Sequence, residues 1–158
     1  MSLLNAPEFD VVKETRKRNI LIGSAISIVA IGLLAVAGFA LGHGWFFMNL
    51  PVELKVSVFL STVKSGDYPK AYGIWNNDPN WQQHPQKYDY TVQRFTEDWS
   101  TASDWKGPVT SYHVGCSKRD DSGVSVNATI NGGNSLTLKV QRSDGTLSFF
   151  PYDLTCGF

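Results

Sequence analysis

The chain opens with one unbroken apolar run and then divides into two hydrophobic periods. From Ile20 to Gly42 there are 23 consecutive residues without a charge. As a helix they extend roughly 35 Å, enough to cross the hydrocarbon of a bilayer with some tilt. Ser24 and Ser27 are the only hydroxyls in the run, whereas a core helix of that length would carry a polar face. Beyond Pro51, which suits the first turn of a helix, Val52, Val56, Phe59, Leu60 and Val63 recur at helical spacing up to Ser65-Gly66. Asp67 is a good N-cap for a second helix with Ala71, Tyr72, Ile74 and Trp75 on its apolar side, stopped by Asn76-Asn77-Asp78-Pro79-Asn80. A third is predicted over Thr91–Ser100, where Val92, Phe95 and Trp99 share a face.

After Gly107-Pro108 the period falls to two. Val124, Val126, Ala128 and Ile130 alternate with polar residues, as do Leu136, Leu138 and Val140. A first strand over Val109–Lys118 turns Tyr112, Val114 and Cys116 inward and His113 outward, and a last over Thr146–Phe150 contributes Leu147 and Phe149. Asp120-Asp121-Ser122-Gly123, Asn131-Gly132-Gly133-Asn134 and Ser143-Asp144-Gly145 are the turns. The fold class expected is α+β: one transmembrane helix, then three helices packed on a four-stranded antiparallel meander solvated on its outer face. The corresponding map is 1–19 cytoplasmic tail, 20–42 transmembrane helix, 43–50 interfacial linker and 51–158 exported domain.

Charge gives the span a direction. Lys13, Arg16, Lys17 and Arg18 precede it, while no Lys or Arg follows until Lys55. By the positive-inside rule the N-terminus is cytoplasmic and the domain periplasmic or extracellular, on a single-pass protein of the cell's inner membrane. The apolar core of a cleaved signal peptide is shorter, typically about 7–15 residues. The first 19 residues read either as a short interfacial helix or as an unstructured tail. Lys and Arg total 14 and Asp and Glu total 14, so no net field draws the chain to nucleic acid.

Gly23, Ala30, Ala37 and Gly44 recur every seven residues, and Gly38 and Gly42 form a GxxxG pair. These small residues read either as a packing seam for helices of other integral-membrane subunits or as the ordinary Gly and Ala content of a span. Trp45, Phe46 and Phe47 suit the far headgroup layer, and Trp81 and Tyr88 lie in a polar loop where rings without helical periodicity suit a partner. Cys116 and Cys156 are the only cysteines. Outside the cytoplasm they form either a disulfide, closing roughly 40 residues and worth roughly 4 kcal/mol, or two buried thiols. His43, His84 and His113 have no ligand spacing that points to a metal. His43 reads as a headgroup-layer residue or as a ligand for a porphyrin-type pigment within an assembled complex; no cofactor is expected for the chain itself.

Three helices followed by a four-stranded meander, with the run from Phe59 through Gly66-Asp67 to Tyr72, resembles the nuclear transport factor 2-like (cystatin-like) superfamily over about residues 51–154. The resemblance implies a curved sheet wrapped around the first helix of the domain. Enzymes of that superfamily place an Asp or His and a Tyr inside the cone. Tyr72, Tyr112, Asp98 and His113 are the candidates here, with His113 sent to the outer face by alternation, so no matched acid and base emerge. The expectation is a nonenzymatic membrane accessory subunit. The alternatives are an envelope ligand-binding module and an isomerase- or dehydratase-type enzyme.

Overall fold

The computed structural model describes residues 11–44, 46–101 and 107–154, without the side chains of Val11 and Phe46. Its first element, α1 (Val11–Ala40), starts before the uncharged run because nothing from Val11 to Asn19 breaks a helix. The basic residues therefore stand on its first turns, with Glu14 and Lys17 paired at 3.6 Å. From Val11 onward the supposed tail is helix continuous with the span; residues 1–10 lie outside the described residues. Among the described residues one helix, near the N-terminus, is long and apolar enough to cross a membrane. Its serines need no outside partner, since Ser24 Oγ donates to the carbonyl of Leu21 and Ser27 Oγ to that of Gly23, both at 2.9 Å.

A glycine cap ends α1. Gly42 has φ +77°, its N–H donates to the carbonyl of Phe39, and the N–H of His43 donates to that of Gly38 at 2.9 Å. The next helix, α2 (Phe46–Lys64), begins inside the predicted linker, so Pro51 lies within it rather than in its first turn. Asn49 and Glu53 explain the early start: both are buried, and at helical spacing they continue the face of Val56 and Leu60 toward the N-terminus. Gly66 (φ +78°) closes α2.

Asp67 caps α3 (Tyr68–Trp75), its carboxylate accepting the N–H of Lys70 at 3.2 Å. Two 3₁₀ turns, Trp81–Gln83 and Pro85–Lys87, lead to α4 (Val92–Ser100), capped by Thr91. The four strands β1 (Tyr112–Arg119), β2 (Gly123–Ile130), β3 (Asn134–Gln141) and β4 (Leu147–Phe149) form one antiparallel sheet in chain order. The fold is α+β. Val56, Phe59, Leu60 and Val63 of α2, with Phe95 and Trp99 of α4, share one core with Val126, Ala128, Ile130 and Leu138 of the sheet.

Two details of the sheet depart from expectation. The register of β1 shifts between Val114 and Ser117, so Ser117, not Cys116, stands opposite Val126. The outer face is also not simply solvated, because Ser125, Thr137 and Lys139 are buried. The chain after β4 crosses beside them: Phe150 N–H donates to the carbonyl of Thr137 at 2.9 Å, and Lys139 Nζ lies 5.1 Å from the Phe150 ring centre. Lys139 also donates to Asp120 Oδ2 at 2.6 Å. That ammonium, with help from Ser122, holds the Asp120 carboxyl well below the usual carboxylate range.

Candidate functional site

Three places could carry function: the interior of the domain, the junction between α1 and the domain, and a groove beside α3. The interior is filled by rings. Phe59 meets Trp99 edge-on at 5.0 Å between centroids, Trp75 at 5.6 Å and Phe95 at 6.1 Å, while Phe149, expected to point inward, is 45% exposed and lies at the rim against Trp75 and Trp99. The candidate acid–base residues do not converge. Tyr72 donates its hydroxyl to the carbonyl of Tyr90 at 2.6 Å, Asp98 accepts from Tyr90 at 3.0 Å and pairs with Arg94, and Tyr112 lies 3.4 Å from Ser57 Oγ. His113 is exposed. Burial, then the hydrogen bond and charge of Asp98, push the Tyr90 hydroxyl far above its ordinary value, so it stays a donor at neutral pH.

The junction is a small polar knot. The carbonyl of Gly42 accepts the N–H of Ser117 at 3.1 Å. Asn49 Nδ2 donates to the carbonyl of His43 and to Ser117 Oγ, each at 2.9 Å. His43 Nδ1 sits 2.9 and 3.0 Å from the two oxygens of Glu53, which is only 7% exposed. With Glu53 ionised, Nδ1 carries the proton and donates, leaving Nε2 as the position for any further ligand. Among the described residues no cluster of three His, Cys, Asp or Glu could hold a metal ion.

That knot reassigns two residues of the predicted seam. Gly42 and Gly44 lie beyond α1, at φ +77° and +59°. A Cβ on Gly44 would stand 2.7 Å from Asn49 Nδ2, and one on Gly42 would stand 3.2 Å from the Cβ of Cys116. The turn by itself requires glycine at both positions. Gly38 is on α1 but buried, which leaves Gly23, Ala30 and Ala37 as the exposed small residues of the seam.

The groove beside α3 has a volume of about 540 Å³ and is lined by Lys55, Ile74, Asn77, Asp78 and Trp81 among others. Lys55 Nζ donates to Asn77 Oδ1 at 2.7 Å and to the carbonyl of Gly145 at 2.6 Å. Burial lowers its pKa, and Asp144 offsets part of that. Asp78 is a hub: Tyr88 OH and His84 Nε2 both lie 2.5 Å from its Oδ2. The Tyr88 hydrogen bond first, then that of His84, hold its carboxyl down at about 2. In the sequence Asp78 reads only as part of a helix stop.

The predicted partner contacts divide. Trp81 is buried, donates Nε1 to the carbonyl of Pro69 at 3.0 Å and meets Tyr72 edge-on at 4.8 Å. It belongs to the core, because the 3₁₀ turn folds the loop back onto α3, and only its edge reaches the groove. Tyr88 is half-buried with its hydroxyl on Asp78, and Phe47 is exposed. Trp45 and the side chain of Phe46 lie outside the described residues. Cys116 is buried, and its expected partner Cys156 also lies outside them. Comparison with protein-family models, with curated proteins and with solved structures found no match to this chain.

Proposed function

We propose that this chain is a nonenzymatic single-pass membrane accessory subunit, in which α1 packs into a larger membrane assembly and the domain covers or docks partners on the outer side. One contrast carries the reading. The interior of the domain is occupied by its own rings, whereas the apolar side chains of α1 are uncovered along the helix. The basic residues on the first turns of α1 support a cytoplasmic N-terminus and a periplasmic or extracellular domain. The order of helices and strands supports the nuclear transport factor 2-like resemblance. A Cys116–Cys156 disulfide would fasten the chain end to β1 in that compartment.

The test is photocrosslinking from Ala30 and Ala37 in native membranes, with Ile28 on the far side of α1 as control. Adducts from the first two positions to one integral-membrane protein, retained in a discrete complex in mild detergent, are expected. A monomer giving lipid adducts alone from all three positions would reject the reading. The groove favours a second one, a ligand-binding module whose ligand sits against Lys55, Asn77 and Trp81 rather than in a cone. Native mass spectrometry separates the two: a stoichiometric small molecule retained by the purified chain would favour the module.

A further inference from the structure

The helix α2 is apolar on two sides, and the fold covers only one of them. Its inner face (Val56, Phe59, Leu60, Val63) is fully in the core. On the opposite side Phe47, Pro51, Leu54 and Val58 follow one another at spacings of four, three and four, which aligns them in a single stripe about 16 Å long. All four are exposed, Leu54 at 57% and Val58 at 55%. A helix that is hydrophobic all round is ordinarily covered all round. The charged side chains between Phe46 and Val63 are turned elsewhere: Glu53 to His43, and Lys55 to Asn77 and Gly145.

Continuity with α1 identifies what covers the stripe. Only residues 41–45 separate the two helices, and the polar knot of His43, Asn49, Glu53 and Ser117 fixes the start of α2 to the end of α1. Apolar surface runs across this turn, from exposed Phe39 and Leu41 to exposed Phe47 and Met48. The medium that solvates the end of α1 therefore reaches the start of α2. We propose that the outer face of α2 lies on the headgroup and acyl boundary of the bilayer that α1 crosses, with Phe47 as its aromatic anchor. The domain is then held at a fixed orientation against the membrane by two contacts, α1 through it and α2 on it. This inference rests on reading α1 as the membrane anchor.

Full-length protein in nanodiscs, one chain per disc, tests it. A fluorescent amino acid is incorporated at position 54 or 58, at Lys64 off the stripe, or at Ile28 in α1, and is quenched by lipids brominated near the headgroup or deep in the chain. Shallow bromine is expected to quench positions 54 and 58 at least about twofold more than 64, and deep bromine to quench 28. Quenching at 28 with 54 and 58 no different from 64 overturns the inference while leaving the anchor standing. No quenching at 28 removes the anchor and the inference with it. Unquenched 54 and 58 in discs holding two chains, with energy transfer between labels, would give the face to a second copy and likewise overturn the proposal. Leu54→Glu with Val58→Glu is expected to abolish the quenching of a label at 47 and to leave that at 28 unchanged; persistence at 47 would also count against it.

Discussion

The interior of the domain and the outer surface of α1 and α2 are made from similar side chains with opposite results. In the interior, Phe59, Trp75, Phe95 and Trp99 lie within about 5–6 Å of one another in edge-on and tilted contacts, and every ring has neighbours on several sides. On α1, Ile28, Leu33 and Val36 project with nothing against them. Composition does not separate the two regions. An interior helix such as α4 has one apolar and one polar face, so burying one side completes it, whereas the uncharged span of α1 has no polar face to leave in water and α2 keeps a second apolar side exposed.

Breaking the interior should give the largest effect. Phe59→Ala or Trp99→Ala removes a fully buried ring from the centre of the cluster, and a loss of about 3–5 kcal/mol is expected in denaturant unfolding of the domain. Leu33→Ala, a large-to-small truncation on α1, should change domain unfolding by less than about 0.5 kcal/mol. Equal losses at the two sites would mean that α1 is packed on the domain.

Much of this contrast is legible in the sequence, because both regions announce themselves by period. The long uncharged run gives α1, the spacing from Val52 to Val63 gives the inner face of α2, and the three turns delimit the strands. The junction is another matter. Asn49 and Glu53 are polar residues on a buried helix face, so a pattern of apolar positions stops at Pro51 and places a linker where α2 already runs. Their partners, His43 and Ser117, are 6 to 68 residues away from Asn49 along the chain, and no local rule connects them. Trp81 misled for the opposite reason: a ring without helical neighbours reads as a surface anchor, yet two short 3₁₀ turns bring it onto Tyr72. The bulge in β1 costs one step of alternation, so that Ser117 stands opposite Val126 where Cys116 was expected, although Cys116 is buried all the same.

The junction is where the covered and uncovered regions are joined. Asn49→Ala removes the donor shared by the carbonyl of His43 and Ser117 Oγ in a site where Asn49 is 1% exposed. A cost of about 1–3 kcal/mol is expected, together with faster hydrogen exchange at the Ser117 amide, which donates to Gly42. Exchange unchanged at Ser117 would show that α1 is fastened to the domain elsewhere. Gly42→Ala should cost slightly less, about 1–2 kcal/mol, because the new side chain must take the left-handed conformation and press on Cys116. An alanine tolerated there without loss would argue that the turn differs from the one described.

The smallest expected effect lies at Asp78, and it is read through pH. The Tyr88 and His84 hydrogen bonds hold the folded carboxyl at about 2, below its ordinary 3.8. As pH falls, the unfolded chain therefore takes up the proton first, and stability from this group is lost between those two values. Above them the contribution is complete. Asp78→Asn should accordingly lower the thermal midpoint at about pH 5, where the wild-type carboxylate accepts both bonds, and the two proteins should converge as the pH approaches about 2. A difference that persists unchanged to the lowest pH would mean that the hub is held by shape rather than by charge. The loop carrying Trp81 would then belong energetically to the ring-packed interior, and the charge of Asp78 would be incidental to it.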